Sequence, residues 1–333
     1  MKVTEFGYVR RATLVMLAVS TLPSAVNAGT INWNATYVND AGLSGPDFAT
    51  FQSEIGATLN YYTTTWSAPT AITVSVKFHA GNTGLGTTQG QYSVVPYQDY
   101  RNALASTGNS AIDAAHLANL PNSANNPVNG STTFDNPNPL LRALGLPTTP
   151  TAEPDGDIIL NTTIMTLSRT GPMAPGTYDL RQVVYHELNE VLGFVSNLNG
   201  VPQAAGPGPT GAISAADLLR YDGVGSRSWN SDYANAAQPF LSYDNGVTNL
   251  ANYNIAASGG DRQDFSGSPF FSVQDASSTP DIRLDNAVAE EAFLDAIGYN
   301  RLAVPEPASA LLVAVAIGSL LTSRRTLGRL HRS

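Results

Sequence analysis

The sequence predicts an α+β fold in which a mixed β-sheet rests on two helices in one half of the domain, while the other half is irregular and rich in loops. Segment 71–80 is β-branched with strict alternation of apolar and polar residues, and segments 46–67 and 177–197 have the apolar periodicity of long helices. Residues 228–280 are rich in Gly, Ser, Asn and Asp, which favours turns and short strands over helices.

The first half of the domain is predicted to contain strands around one long helix. Residues 31–38 (INWNATYV) alternate apolar and polar side chains, as a short strand does. The helix predicted over 46–67 has apolar residues at helical spacing, namely Phe48, Phe51, Ile55, Leu59 and Tyr62. The strand predicted over 71–80 has one apolar face, formed by Ile72, Val74, Val76 and Phe78. Residues 90–106 predict a strand that turns into a helix after Pro96.

The second half begins with a polar stretch. Residues 120–156 are crowded with Pro, Asn, Ser and Thr, which indicates a long surface excursion around a short helix. A second strand follows at 155–167 (DGDIILNTTIMTL), and we expect it to be an edge strand that could pair with an extended substrate. A short helix is predicted to begin within 214–223, and the domain closes with a helix over 285–300 that ends at Gly298.

The two ends of the chain predict export. Residues 1–28 have a basic start, an apolar run and small residues where a signal peptidase cuts. Residues 304–333 join the triplet Pro-Glu-Pro to an apolar segment too short for a firm membrane anchor and then to an arginine-rich end, an order that leaves the arginines in the cytoplasm. The folded domain therefore spans 29–303.

The C-terminal segment resembles the PEP-CTERM sorting signal of Gram-negative bacteria that make exopolysaccharide. The resemblance rests on the order of triplet, apolar helix and arginines. It implies that signal peptidase and an exosortase act on the protein during export, with the C-terminal helix transiently in the inner membrane. It also implies that the mature protein reaches the cell surface or the extracellular matrix.

Composition narrows the class of partner. The chain has no cysteine, so no disulfide supports an exported domain and its core alone must hold it together. It has 17 Lys and Arg against 26 Asp and Glu, of which seven and two lie in the two ends, so the domain carries 10 positive and 24 negative charges and a net charge of −14. This surface disfavours nucleic acid and anionic polymers, and it tolerates divalent cations.

The helix predicted over 177–197 carries a candidate metal site. Its apolar stripe consists of Leu180, Val183, Val184, Leu188, Val191, Leu192 and Val195. His186, Glu190 and Gly193 fall together on the opposite side. Because residues four apart lie one above the other on a helix, an imidazole and a carboxylate could meet at one ion. Glu187 stands about 100° further round, where a general base would lie beside a metal-bound water.

Two interpretations of this helix remain open. Zinc accepts carboxylate oxygen as readily as imidazole nitrogen, so His186 and Glu190 are a chemically reasonable ligand pair. A polar side opposite an apolar stripe is also what any surface helix shows. Gly193 favours the site interpretation, because a glycine seven residues after the histidine lets the chain turn out of the helix.

The segments HELNEVLGF, SAADLLRYDGVGSRSW, LSYDNGVTNLANYN and EEAFLDAIGYN resemble a group of PEP-CTERM-tailed metalloprotease-like proteins with a His-Glu-x-x-Glu helix. The order of helix, strands, edge strand, site helix, loops and final helix is that of a zincin-like domain related to metzincins and gluzincins. The resemblance implies zinc at His186 and Glu190, with Glu187 as the catalytic base.

The third ligand is less clearly indicated. Metzincins use a histidine ten residues after the first, where this chain has Ser196, and no methionine follows the site helix, so the metzincin Met-turn is absent. In gluzincins the third ligand is an acid on a later helix. Asp217 fits that arrangement, although Ser214 and Asp217 also form a capping box at a helix start. Asp222 is a weaker candidate.

Three other polar residues are predicted to have structural roles. His79 ends a strand and is expected to be a half-buried sheet residue, and His116 is expected on a helix surface. Tyr221 could steady an oxyanion, but packing is the favoured role.

The sequence therefore predicts an exported zinc-dependent metallopeptidase that hydrolyses protein or peptide substrates with a metal-activated water. The alternative is a non-catalytic surface or matrix protein on the same fold, whose acidic loops bind calcium or exopolysaccharide.

Overall fold

A computed structural model of the chain describes residues 29–199, 211–230, 237–255, 260–267 and 271–302. The predicted signal peptide and sorting signal lie outside the described residues. Within the described part of the chain, no helix has the length and apolar character needed to cross a membrane.

The domain is a mixed α+β structure. The strands are β1 (Gly29–Val38), β2 (Trp66–Ala68), β3 (Ile72–Gly81), β4 (Gly86–Gly90), β5 (Tyr92–Pro96), β6 (Thr133–Pro137), β7 (Gly156–Asn161), β8 (Met165–Thr166), β9 (Tyr178–Asp179), β10 (Arg220–Gly223), β11 (Ser226–Arg227), β12 (Phe240–Leu241), β13 (Ala251–Asn252) and β14 (Asn300–Arg301). The helices are α1 (Gly45–Thr65), α2 (Tyr97–Thr107), α3 (Ala111–Ala118), α4 (Asn138–Ala143), α5 (Leu180–Leu192), α6 (Ala215–Leu218) and α7 (Val288–Ile297), and a 3₁₀ turn spans Thr162–Ile164.

A six-stranded mixed sheet lies at the centre, in the order β14-β2-β1-β3-β7-β4. Strands β1, β3 and β7 run parallel to one another, and β4 is antiparallel to β7. The prediction that the DGDIILN strand is an edge was wrong, because β7 lies between β3 and β4. At this side of the sheet the edge strand is β4, whose sequence GTTQG carries no large apolar residue and therefore gives no strand signal.

The predicted periodicities describe the core well. In α1 the predicted apolar positions Phe51, Ile55, Leu59 and Tyr62 are buried, and in β3 Ile72, Val74, Val76 and Phe78 are buried. Helix α1 begins where the Ser44 side chain caps the backbone N–H of Asp47. Tyr37 of β1 stacks on Phe78 and meets Phe51 edge-on, so α1 packs on the apolar face of the sheet.

The predicted surface excursion over 120–156 was partly wrong. Phe134 in β6 and Leu140 and Leu141 in α4 are completely buried. The polar composition misled because its asparagines form internal hydrogen bonds: Asn136 Oδ1 accepts from the backbone N–H of Ala215 at 2.9 Å, and Asn138 Oδ1 accepts from Ser93 at 2.6 Å.

The two other histidines behave differently. His79 is a half-buried sheet residue as predicted, contacting Asp40 and Asp157. The prediction that His116 lies on a helix surface was wrong, because the residue is completely buried. Burial lowers the pKa of His116 to about 3, so the imidazole is neutral. A helix of eight residues, half of them alanine, has too little pattern to show which face is inside.

Helix α5 lies close against the sheet at two glycines. A Cβ on Gly156 of β7 would overlap the side chain of Val191, and a Cβ on Gly86 of β4 would overlap Val183 and the carboxylate of Glu187. Since side chains alternate along a strand, α5 lies on the sheet face of Ile158, and His79, paired with Ile159, lies on the opposite face.

Replacing Gly156 by alanine should therefore destabilise the fold. The added methyl group meets Val191 in a packed interior, and we expect a loss of about 1–3 kcal/mol in the free energy of unfolding. Urea denaturation measures it. The matched control is Gly56→Ala in α1, where nothing lies within 4 Å of the new Cβ, and where alanine should stabilise the helix by up to about 1 kcal/mol. Equal stabilities for the two variants would contradict this packing.

Candidate metal centre

Helix α5 is fixed at both ends. At its start, the carboxylate of Asp179 accepts the backbone N–H of Gln182 at 3.1 Å, and the guanidinium of Arg169 holds the same carboxylate. At its end, Gly193 has a φ of 138°, and a Cβ there would overlap Ile297. The predicted chain turn at Gly193 is confirmed, and only glycine adopts this backbone easily.

Both sides of α5 are covered. The predicted apolar stripe is buried against the sheet and α1. The polar side faces two short segments, 260–267 and 271–276, and the side chains of His186 and Glu190 are only 15% and 11% exposed. The interpretation of α5 as an ordinary surface helix is therefore wrong.

Three potential ligand atoms face one another in this covered space. His186 Nε2 lies 3.8 Å from Glu190 Oε1 and 3.6 Å from Asp264 Oδ1, and the three ligand atoms all lie within 4.8 Å of one another. Two atoms that bind one tetrahedral ion at about 2.1 Å are about 3.4 Å apart. Small side-chain rotations would bring this group to that spacing, so His186, Glu190 and Asp264 could hold a metal ion.

Each of the three potential ligands is oriented by a further hydrogen bond. His186 Nδ1–H donates to the carbonyl of Val273 at 3.0 Å, which leaves the lone pair of Nε2 directed at the carboxylates. Gln263 Nε2 donates to Glu190 Oε1 at 2.9 Å, and Gln274 Nε2 donates to Asp264 Oδ1 at 3.1 Å. All three supporting groups come from the two segments that cover α5.

Electrostatics favour a cation at this point. Burial raises the pKa of Glu190 well above its usual value, and the neighbouring carboxylates of Glu187, Asp264 and Asp261 raise it further. Burial also raises the pKa of Asp264 to about 6, although His186 opposes this. Burial alone would lower the pKa of His186, but Asp264 and Glu187 outweigh it and raise the pKa. A divalent cation would offset the cost of these buried negative charges.

Glu187 lies beside the three-residue group. The residue is 4% exposed, and its Oε2 accepts a hydrogen bond from Thr88 Oγ1 of β4 at 2.6 Å. Burial raises its pKa, although His186 and Thr88 oppose the shift. A cavity of about 360 Å³ opens here, lined by His186, Glu190, Asp264, Glu187 and residues of β4 including Gly86.

Asp217 is not part of this group, contrary to the prediction. Its carboxylate is completely buried and accepts hydrogen bonds from Ser196 Oγ, from the backbone N–H of Asn197, and from both the N–H and the hydroxyl of Ser214. Asp217 therefore has the capping-box role that the sequence also allowed, and the hydroxyl of Ser196 is engaged in donating to its carboxylate. Asp222 is half-buried in β10 outside the group, and Tyr221 packs under the guanidinium of Arg227 as favoured.

Sequence reasoning missed Asp264, which takes the place predicted for Asp217. It follows His186 by 78 residues in an irregular segment (GDRQDFSG) with no helical or strand periodicity. The only signal was the density of acids and amides in a loop-rich region, which does not single out one residue.

The buried acids predict a pH dependence in the metal-free protein. Since burial raises the pKa of Asp264 from 3.8 to about 6, the folded state binds its proton more tightly than the unfolded state does. This contribution to stability is complete below about pH 4 and is lost as the pH rises through about 6. With a chelator present, we expect the free energy of unfolding to fall more steeply between about pH 4 and 6 in the wild type than in Asp264→Asn. Urea denaturation over this range measures both slopes, and parallel slopes would contradict the burial of an ionisable Asp264.

No family model, no curated protein and no solved structure matches the chain. Conclusions about its chemistry therefore depend on the geometry around His186, Glu187, Glu190 and Asp264.

Proposed function

We propose that the protein is an exported zinc-dependent peptidase of zincin-like architecture, in which His186, Glu190 and Asp264 hold the metal and Glu187 is the general base. The observation that carries this proposal is the meeting of three ligand atoms within 4.8 Å of one another, inside a cavity that Glu187 also lines. The predicted signal peptide and the PEP-CTERM resemblance support a location at the cell surface or in the extracellular matrix.

The donor set favours zinc over calcium. Catalytic zinc sites have three protein ligands drawn from imidazole, carboxylate and thiolate groups and leave one position for water. Calcium takes six to eight oxygen ligands, and an imidazole nitrogen is a poor substitute for one of them. His186 therefore argues against the calcium-binding alternative at this site.

Hydrolysis requires a nucleophile and a polarised carbonyl. Held by His186, Glu190 and Asp264, a zinc ion would supply both, because it would lower the pKa of a bound water and withdraw charge from the carbonyl oxygen. Glu187 then has the role of proton acceptor and carrier to the leaving nitrogen. Burial raises the pKa of its carboxylate in the metal-free protein, and the hydroxyl of Thr88 fixes its orientation by donating a hydrogen bond to Oε2.

Strand β4 supports a polypeptide substrate. Within the described part of the chain, no strand pairs with the outer edge of β4, and its residues Gly86, Thr87 and Thr88 line the cavity. An extended peptide can add to such an edge through backbone hydrogen bonds. We therefore assign to β4 the pairing with an extended substrate that was expected of the DGDIILN strand. Such pairing would align a peptide bond with His186, Glu190 and Asp264.

Metal analysis tests the ligand set. The purified protein equilibrated with zinc should bind about one ion per chain, because one group of three ligands is found among the described residues. His186→Ala and Asp264→Asn should each weaken zinc binding by more than about 100-fold. Each removes a direct ligand, and mutation of a residue that only supports a ligand by hydrogen bonding already lowers metal affinity by about 10–100-fold. Mass spectrometry of the metal content and competition with a chelator measure this.

The matched controls remove the same residue types elsewhere. His79→Ala acts on the opposite face of the sheet, and Asp222→Asn acts on a half-buried acid outside the group, so both should bind zinc as the wild type does. Unchanged zinc content in His186→Ala would refute the site.

Glu187→Gln separates catalysis from metal binding. The amide keeps the shape of the side chain and can still accept a hydrogen bond from Thr88, but it cannot take a proton. We expect zinc content to be unchanged and cleavage of casein to fall by about 10²–10⁴-fold. Glu153→Gln, on an exposed loop, is the matched control. Cleavage that survives Glu187→Gln would exclude this base, and the alternative non-catalytic matrix protein predicts no activity to lose.

A further inference from the structure

A chain of buried polar side chains runs from the core to the third ligand. It consists of Tyr62 on α1, Asn189 on α5, Asn286 before α7, and Gln274, which lies next to Val273. We infer that Asn189 and Gln274 are positioning residues that hold Asp264 at the metal, so that α5 places the third ligand as well as the first two. This inference rests on the metal site proposed above. We call the four side chains the amide relay.

The distances connect the relay without a break. Asn189 Nδ2 donates to Gln274 Oε1 at 3.2 Å, and Gln274 Nε2 donates to Asp264 Oδ1 at 3.1 Å. Behind Asn189, its Oδ1 accepts the hydroxyl of Tyr62 at 2.8 Å, and its Nδ2 also donates to Asn286 Oδ1 at 3.0 Å. Asn286 Nδ2 returns hydrogen bonds to Tyr62 and to Asn189 Oδ1.

The chemistry of Asp264 fixes the direction of the relay. An ionised carboxylate only accepts hydrogen bonds, so Gln274 must present its N–H₂ to Asp264 and its carbonyl oxygen to α5. That oxygen requires a donor, so Asn189 must present its own N–H₂ and direct its oxygen toward Tyr62. Each amide therefore has one orientation that satisfies the hydrogen bonding of its neighbours, and that orientation is determined by the need of Asp264 for a donor.

The relay ends on the ligand atom itself. Asp264 Oδ1 is both the atom that accepts from Gln274 and the atom 3.6 Å from His186 Nε2. Asn189 follows His186 by three residues and precedes Glu190, so all three project from one turn of α5. The spacing between Asp264 and the other two ligands is thus set by side chains of a single rigid turn.

Full burial makes the relay sensitive to disruption. Tyr62, Asn189 and Gln274 have no exposed surface, and Asn286 is 9% exposed. Apolar side chains could fill a core at lower cost than amides, which must find partners for every polar group. A fully paired network that terminates on a proposed ligand atom is better explained by positioning than by packing.

The test is zinc affinity in Gln274→Met and Asn189→Leu, measured by competition with a chelator on the full chain. Both substitutions keep the volume of the side chain and remove its hydrogen bonds. We expect affinity to fall about 10–100-fold in Gln274→Met and about tenfold in Asn189→Leu. The visible absorption of bound Co²⁺ should also change in both, because the ligand geometry around the ion changes. If one of the two variants does not fold, the zinc affinity and the Co²⁺ spectrum of the other still test the inference.

Two comparisons separate positioning from general destabilisation. Tyr62→Phe removes a hydroxyl at the far end of the relay, and Asn189 Oδ1 keeps its bond from Asn286, so thermal stability should fall while zinc affinity and the Co²⁺ spectrum stay as in the wild type. In the double variant, Asn189→Leu should lower zinc affinity by no more than about twofold beyond the loss caused by Gln274→Met. The reason is that Asn189 acts on Asp264 only through Gln274.

Zinc affinities within about twofold of the wild type in both single variants, with unchanged Co²⁺ spectra, would overturn the relay and leave the proposed metal site intact. Losses that simply multiply in the double variant would also overturn it. A wild-type protein that binds no zinc would instead refute the proposed function, and the relay would fall with it.

Discussion

The central constraint in this structure is the burial of several carboxylates around one imidazole. Glu187, Glu190 and Asp264 meet His186 in a space where their negative charges are poorly solvated, and burial raises the pKa of all three acids. Such an arrangement is costly unless protons or a cation neutralise it. The surrounding structure maintains it nonetheless: Gly86 lets the sheet approach the carboxylate of Glu187, and two loop segments close the other side.

Regular and irregular structure contribute different parts of the site. Helix α5 supplies His186 and Glu190 from one helical turn, a spacing that helix geometry alone guarantees. The loop segments supply Asp264 together with the amides and the carbonyl that orient the ligands. Phe265 N–H donates to the carbonyl of Gln274 at 2.7 Å, which ties the two segments together next to the site. Segments 260–267 and 271–276 therefore form a wall of the cavity, and their polar side chains make internal hydrogen bonds.

The parts of the molecule that sequence could predict are those governed by local geometry. The buried face of α1, the apolar face of β3 and the pairing of His186 with Glu190 follow from periodicity within one element. The predictions that failed concern residues whose roles depend on contacts with residues distant in the sequence. Asp264 lies 78 residues from His186 in the sequence. Asp217 has the residue type of a metal ligand, but its carboxylate accepts hydrogen bonds in the cap at the start of α6. Strand β4 has almost no apolar residues, and it is a strand because β7 pairs with it.

Locating the metal directly is the sharpest test of this account. Crystals of the zinc-loaded protein, measured at wavelengths on either side of the zinc absorption edge, would give the position of the ion from its anomalous signal. We expect one strong peak bounded by His186 Nε2 and by carboxylate oxygens of Glu190 and Asp264, at about 2.0–2.2 Å from each. A peak elsewhere in the molecule, or an ion at His186 whose ligands do not include Asp264, would contradict it.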